Sequence, residues 1–195
     1  MSRFLIMDIG LHAVSASHDD LGLRVIERKP IGDTRGSLTR LFCVEELAAA
    51  GWNAPVKQIN HTFTARRGTL RGMHYQRPPH AETKLISCLR GEVWDVAVDV
   101  RKGSPTFLKW FATTLSAENN RALLIPQGFA HGFQTLTDDV DLLYCHSALY
   151  APDAEAGLHP LDPRLAIDWP LPHHDISERD QGHPLINATY KGVGA

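Results

Sequence analysis

Long apolar runs are missing from this sequence. Nothing in its 195 residues approaches the ~18 consecutive apolar residues that a membrane-spanning helix needs. The N-terminal stretch MSRFLIMDIGLHAVSAS opens with Arg3 and has small residues near Ala16, as a secretory leader does. Asp8 and His12 interrupt its apolar core, however, so a terminal strand is the expectation there. Cysteine is scarce as well. Cys43, Cys88 and Cys145 are odd in number, far apart and without CxxC spacing, which excludes a complete disulfide framework. They read as small apolar residues in a reducing compartment. Neither sign of charge dominates: 20 Lys and Arg face 22 Asp and Glu, for a net charge of −2. A dedicated nucleic-acid binder would carry a basic face or tail, so that class is set aside, although a local basic cluster around an anionic ligand is not. No internal repeat or low-complexity tract is visible. These absences describe a soluble, cytoplasmic globular protein with no nucleic-acid or membrane partner.

The apolar fraction of 43% is ample for a core, and the length fits one domain over residues 1–195. Turn signals recur at short intervals: Gly32-Asp33, Arg67-Gly68, Arg90-Gly91, Lys102-Gly103, Gln127-Gly128 and Thr137-Asp138-Asp139. Between them lie short apolar and β-branched segments, clearest at Leu85–Leu89, Val93–Val100, Leu123–Pro126, Phe129–Leu136 and Val140–Tyr144. In VWDVAVDV the alternation sets Trp94, Val96, Val98 and Val100 on one side and Asp95, Ala97 and Asp99 on the other. Short strands at this spacing predict an all-β sandwich or barrel. One helix is expected at Val44–Ala50, stopped by Gly51. Beyond Tyr150 six prolines (Pro152, Pro160, Pro163, Pro170, Pro172 and Pro184) break regular structure. The expected plan is a barrel core at about 20–150 with an irregular extension, about 151–195, packed over it.

Pro126-Gln127-Gly128-Phe129-Ala130-His131 has the P-x-G-x-x-H form of a cupin's second motif, in which a turn delivers a histidine into the barrel. A metal-binding cupin needs two further histidines and a carboxylate, because a transition metal requires several N or O ligands at fixed distances. Here His74-Tyr75-Gln76 stands where the metal pattern has His-x-His, and Glu82 sits too far along to replace the missing acid. No metal is expected.

Several stretches, in order and at the right spacing from about Gly32 to Pro184, resemble the dTDP-4-dehydrorhamnose 3,5-epimerase family. They are Gly68-Thr69-Leu70-Arg71-Gly72-Met73-His74-Tyr75-Gln76, Lys84-Leu85-Ile86, the run Gly91 to Arg101, Ser104-Pro105-Thr106-Phe107, Leu115 to Asn119, Ile125 to Phe133, and Ile176-Ser177-Glu178-Arg179-Asp180. The resemblance implies a cupin-like jelly-roll barrel, a homodimer, and no metal or organic cofactor. It also implies an isomerase that epimerises a dTDP-linked 4-keto-6-deoxyhexose at C3, C5 or both.

Hydrogens beside a ketone are weakly acidic, because their loss gives an enolate. Such an enzyme therefore needs a base on one face, an acid on the other, and a cation or donor at the oxygen. The resemblance assigns His74 as base with Asp180 as its orienting partner, Tyr144 as proton donor on the opposite face, and Lys84 near the ketone oxygen. For the diphosphate, Arg71 is the first candidate and Arg35 the second, because a guanidinium fork suits phosphate oxygens. In the family the segment around Arg35 can reach the neighbouring subunit's pocket. Gln58 and Asn60 resemble nucleotide- or sugar-binding positions. Gln76, His131 and Arg179 lie in the matched motifs as further substrate-binding candidates. His131 and Asp95 could equally hold the barrel together through buried hydrogen bonds.

The match breaks at Ser37-Leu38-Thr39-Arg40, where many members have aromatic residues and then an acid. Relatives with the same barrel also epimerise only C3 or only C5, or act on other nucleotide-linked keto sugars. Two other readings stand beside the epimerase. A metal-dependent cupin lacks its ligands here, and a non-catalytic sugar-nucleotide-binding barrel leaves the acid–base set without a purpose.

Overall fold

The computed structural model describes residues 11–15 and 21–194. Short segments that are apolar on alternate positions bury those faces by pairing edge to edge and stacking the resulting sheets. The first half of the chain supplies β1 (Leu11–Ser15), β2 (Arg24–Arg28), β3 (Ile31–Asp33), β4 (Gly36–Leu38), α1 (Val44–Ala48), β5 (Gln58–Thr64), β6 (Thr69–Gln76), β7 (Lys84–Arg90) and β8 (Glu92–Asp99). The second half adds β9 (Trp110–Ser116), β10 (Arg121–Ile125), β11 (Phe129–Thr135), β12 (Val140–His146), β13 (Glu155–Gly157), β14 (Asp175–Ile176) and α2 (Glu178–Gln181). One sheet runs β1-β2-β10-β7-β12-β5 and the other β13-β6-β11-β8-β9, while β3 and β4 form a separate hairpin. The architecture is the all-β barrel that the strand spacing predicts, in the cupin-like form that the resemblance implies. Of the expected terminal strand, Leu11–Ser15 pairs antiparallel with β2; residues 1–10 and 16–20 lie outside the described residues. Among the described residues no helix is long and apolar enough to cross a membrane.

Alternation decides which core each side chain joins. Val93 and Ala97 turn inward to a cluster between the sheets with Ile86, Leu123, Phe133 and Leu142. Val96, Val98 and Val100 turn outward to a second cluster, which Leu158, Leu165, Ile186 and Val193 of the C-terminal segment cover. A third cluster lies on the outer face of the first sheet, where Leu47 and Trp52 pack on Ile26, Leu85 and Leu124. The helix supplying Leu47 is shorter than the expected Val44–Ala50. Its end tightens, with the Ala50 and Gly51 amides donating to the Leu47 and Ala48 carbonyls three residues back. Gly51 then leaves at φ +107°, which glycine adopts readily.

The C-terminal segment completes β6 along its free edge. β13 pairs with His74–Gln76 and β14 with Thr69–Leu70, and between them Met73 and Leu158 exchange both backbone hydrogen bonds. On its other edge β6 meets β11 at an irregularity between His131 and Phe133. The backbones approach so closely there that a Cβ on Gly132 would lie 2.5 Å from Met73 Sδ and 2.7 Å from the Arg71 carbonyl oxygen. Gly132→Ala is therefore expected to lower unfolding free energy by about 1–3 kcal/mol through overpacking, measured by urea denaturation. Parent-like stability would show that the two strands do not need this approach.

Candidate active site

A cavity of about 350 Å³ opens between the sheets. β6 and β11 of the second sheet bring His74, Arg71 and His131 to one wall, and β7 and β12 of the first sheet bring Lys84, Tyr144 and His146 to the other. His74 and His131 are register partners on neighbouring strands, so both rings reach the same space.

The Asp180 carboxylate fixes the His74 ring. Asp180 sits on α2, a four-residue helix whose N-cap Ser177 accepts from the Asp180 amide. His74 Nε2 donates to Asp180 Oδ1 at 2.7 Å, and the Gly72 amide donates to Oδ2 at 3.2 Å. Burial by itself would raise this carboxyl. The hydrogen bonds from His74 and Gly72 and the charge of His74 outweigh it, and hold Asp180 below the ordinary carboxylate value. An ionised carboxylate only accepts, so Nε2 carries the hydrogen, and in the neutral ring Nδ1 holds the lone pair. That is the tautomer of a base. His183 packs edge-on to His74 with ring centroids 5.9 Å apart, and burial, followed by the charge of His74, holds its own imidazole below the usual value.

Tyr144 lines the same cavity from the other sheet, its ring edge-on to His131 with 5.8 Å between centroids. Burial pushes its phenol well above the ordinary value, and the nearby Asp95 carboxylate adds to the effect. The Thr62 hydroxyl and the Arg71 charge only partly offset it. The group keeps its proton, as an acid must. Lys84 Nζ lies 3.1 Å from Glu82 Oε1 and donates to the His74 carbonyl oxygen at 3.4 Å. A cation, a protonated phenol and an imidazole anchored through one nitrogen thus share one small space, which is the equipment for moving a proton on a carbon beside a carbonyl.

A family model described as dTDP-4-dehydrorhamnose 3,5-epimerase matches residues 21–188. The chain belongs to the dTDP-4-dehydrorhamnose 3,5-epimerase family. A dTDP-4-dehydrorhamnose 3,5-epimerase of Shigella flexneri is 42% identical over 170 residues, covering 85% of this chain and 92% of the relative. A dTDP-4-dehydrorhamnose 3-epimerase of Streptomyces niveus is 41% identical over 155 residues, covering 79% and 74% respectively. The crystal structure of a dTDP-6-deoxy-D-glucose-3,5-epimerase from Legionella pneumophila in complex with dTDP-4-keto-L-rhamnose superposes with a TM-score of 0.86. It is 39% identical and covers 94% of this chain and 98% of that one.

Within this epimerase-family chain, the cavity gathers His74, Tyr144, Lys84, Arg71, Asn60, Gln76, His131 and Arg179 from the residues singled out in the sequence. Asp180 stands directly behind His74. Gln58 lies beside the cavity, donating to Asn60 Oδ1 at 3.0 Å and accepting from the Tyr150 amide at 3.1 Å. The Gln76 side chain is spent on backbone: its amide nitrogen donates to the His80 and Leu149 carbonyls and its oxygen accepts from Ala151. Arg35 stands apart on the β3–β4 hairpin, 88% exposed and paired with Asp33 at 2.5 Å. The departure at Ser37-Leu38-Thr39-Arg40 also falls away from the cavity, where Arg40 pairs with Glu46 of α1.

Sequence reasoning missed Glu82, His146, Glu155 and Thr62, all of which line the cavity. Strand parity could have found two of them. His146 lies two residues beyond Tyr144 on β12, and Glu82 two residues before Lys84. The cupin metal pattern finds no free ligand set here. His131 Nε2 donates to both oxygens of Asp95 at 2.8 and 3.0 Å, the Gln76 amide is occupied, and Glu82 is paired. One donor atom each of His74, Asp180 and His183 lie within 4.8 Å of one another, but the first two are already bonded to each other.

Because Asp180 is held below its ordinary value near 3.8, its contribution to stability is present above that pH and is lost as pH falls through the folded value. Asp180→Asn is expected to be less stable than the parent at neutral pH, with the gap closing on acidification below 3.8 in urea titrations. A gap independent of pH would mean that the carboxylate charge does not matter to the fold.

Proposed function

We propose that this protein epimerises a dTDP-linked 4-keto-6-deoxyhexose at C3, C5 or both, by proton abstraction and reprotonation, with no metal or organic cofactor. The observation that carries the reading is the pairing of His74 Nε2 with the Asp180 carboxylate opposite a Tyr144 phenol that burial keeps protonated. His74 Nδ1 takes the hydrogen from the carbon beside the ketone. The C–H electron pair moves into the enolate, and its negative oxygen is met by the Lys84 ammonium. Tyr144 returns a proton to the opposite face of the carbon, inverting it, and the imidazolium formed on His74 is stabilised by Asp180. Membership of the family supports this reaction type, and the entry of His74 and Tyr144 from different sheets suits an inversion.

The rest of the lining suits an anionic nucleotide sugar. Arg71 and Arg179 supply guanidinium forks for the diphosphate, with Arg179 also paired to Glu155. Asn60, braced by Gln58, suits polar groups of the sugar or base. Gln76 acts by shaping the wall, since its amide is occupied by the protein, while His131 is tied to Asp95 through Nε2. We further propose a homodimer in which the hairpin around Arg35 enters the partner's cavity. β5 is a sheet edge with Ile59 59% and Phe63 47% exposed, and Leu38 on the hairpin is 62% exposed. An apolar sheet edge of this kind calls for a cover. Three free thiols suit a reducing cytoplasm.

Incubation with dTDP-4-keto-6-deoxyglucose in deuterated water is expected to place deuterium at C3, C5 or both, detected by mass spectrometry and positioned by NMR. A protein that binds the nucleotide sugar but exchanges nothing would be a binding barrel instead. His74→Ala should abolish exchange in a folded protein. Tyr144→Phe should still exchange while inverting C5 slowly, and inversion at the parent's rate would remove Tyr144 from the acid role.

A further inference from the structure

Two buried polar residues in the cavity, Glu82 and His146, take no direct part in that chemistry. Glu82, just ahead of β7, is clamped through both oxygens. Oε1 takes the Lys84 ammonium at 3.1 Å, and Oε2 accepts from His146 Nδ1 at 2.8 Å. All three side chains are about nine-tenths buried. With Nδ1 donating, the His146 Nε2 is an acceptor, and it lies 3.5 Å from Asn60 Nδ2. The His146 ring stacks on Tyr144, with 5.9 Å between centroids and 6° between planes. A run of polar contacts therefore leads from Gln58 and Asn60 on β5, through His146 on β12 and Glu82, to Lys84 on β7.

We infer that Glu82 and His146 are positioning residues that hold the Lys84 ammonium where the enolate oxygen forms. The inference rests on the placing of Lys84 at the ketone oxygen given above. A lysine ammonium is a point charge on a four-carbon stem with three donors that turn freely, so nothing in the residue itself aims it. Two of those donors have partners here, Glu82 Oε1 and the His74 carbonyl oxygen, which leaves one for a ligand. The anchor must itself be fixed, because a carboxylate held by one oxygen still rotates about its last bond. His146 fills the second oxygen and stops that rotation. Glu82 also stays ionised in its buried place. Burial alone would raise its carboxyl, but the hydrogen bond from His146 and the charge of Lys84 bring it below the ordinary value. A link between the oxygen-binding cation and the Asn60 end of the cavity lets one set of contacts align both ends of a bound molecule.

The test compares variants with dTDP-4-keto-6-deoxyglucose in deuterated water, reading kcat and KM for exchange. Glu82→Gln keeps the shape and loses the anion, and kcat is expected to fall about tenfold or more, the scale of a misplaced catalytic group, with KM little changed. His146→Ala should lower kcat in the same way but less. His146→Asn, whose side-chain nitrogen can stand in for Nδ1, should return most of the loss. A Glu82→Gln protein with the parent's kcat, a loss confined to KM, or a His146→Ala defect that Asn does not mend would overturn the inference. Should Glu82→Gln fail to fold by circular dichroism, Glu82→Asp carries the test: it keeps the charge, lacks the reach, and is expected to lose kcat all the same, and a parent-like kcat sinks the idea. A parent that takes up no deuterium overturns the functional reading and this inference with it. An active parent matched by its Glu82 variants overturns the inference alone.

Discussion

A buried carboxylate that must be satisfied governs this structure. Asp180 is 3% exposed, and an isolated charge at that depth would be costly. It is held by the His74 ring and the Gly72 amide, both on β6. For that to happen the C-terminal segment has to run along β6, and it does so through the β13 and β14 pairings on either side of the Met73–Leu158 bridge. The same segment roofs the outer face of the second sheet with Leu158, Leu165 and Ile186. Packing, edge pairing and the orientation of the His74 ring are therefore one event. A tail that failed to dock would expose the apolar face and release the imidazole together.

The same device appears three times around the cavity with different consequences. Asp180 ties His74 through Nε2, Asp95 ties His131 through Nε2, and Glu82 ties His146 through Nδ1. Each carboxylate selects a tautomer by the nitrogen it occupies. His131, 5% exposed, is surrounded by the sheet and braces the wall. His74 is half-buried and presents its remaining nitrogen to a ligand. His146 is turned the other way round and serves its carboxylate. Burial depth and ring orientation, more than residue type, separate a base from a brace and from an anchor.

The parts of this arrangement that rest on local chemistry could be read in the linear chain. Alternation in Val93–Val100 assigned both faces of β8, and the turn residues marked the ends of β7, β10, β11 and β12 to within two residues. The family resemblance, rather than local chemistry, singled out His74, Lys84, Tyr144 and Asp180, and His74 and Asp180 meet although they are 106 positions apart. Long-range pairing without a motif stayed hidden. Glu82 and His146, 64 positions apart, meet only because β7 and β12 lie side by side, a pairing that strand parity within either segment does not disclose. Gln76 shows the opposite failing. It sits in a matched motif, yet its amide is consumed by the backbone of residues 80, 149 and 151, a commitment that only the folded loops disclose.

The distribution of side chains also says how such a barrel can change its sugar without changing its reaction. The proposed acid, base and cation stand on β12, β6 and β7, strands paired along both edges, where a shift of one residue would turn every side chain to the wrong face. Arg35, Ser37 and Leu38 stand on a two-stranded hairpin off both sheets, and Arg179 on a helix of four residues. Substitutions in those places disturb few hydrogen bonds of the sheets. The replacement of aromatic bulk and an acid by Ser37-Leu38-Thr39-Arg40 is of that kind, since Arg40 finds Glu46 of α1 as a partner without touching the cavity. On the proposed mechanism, proton transfer is thus held by the paired strands, and the choice of what is bound falls to the hairpin and the short helix.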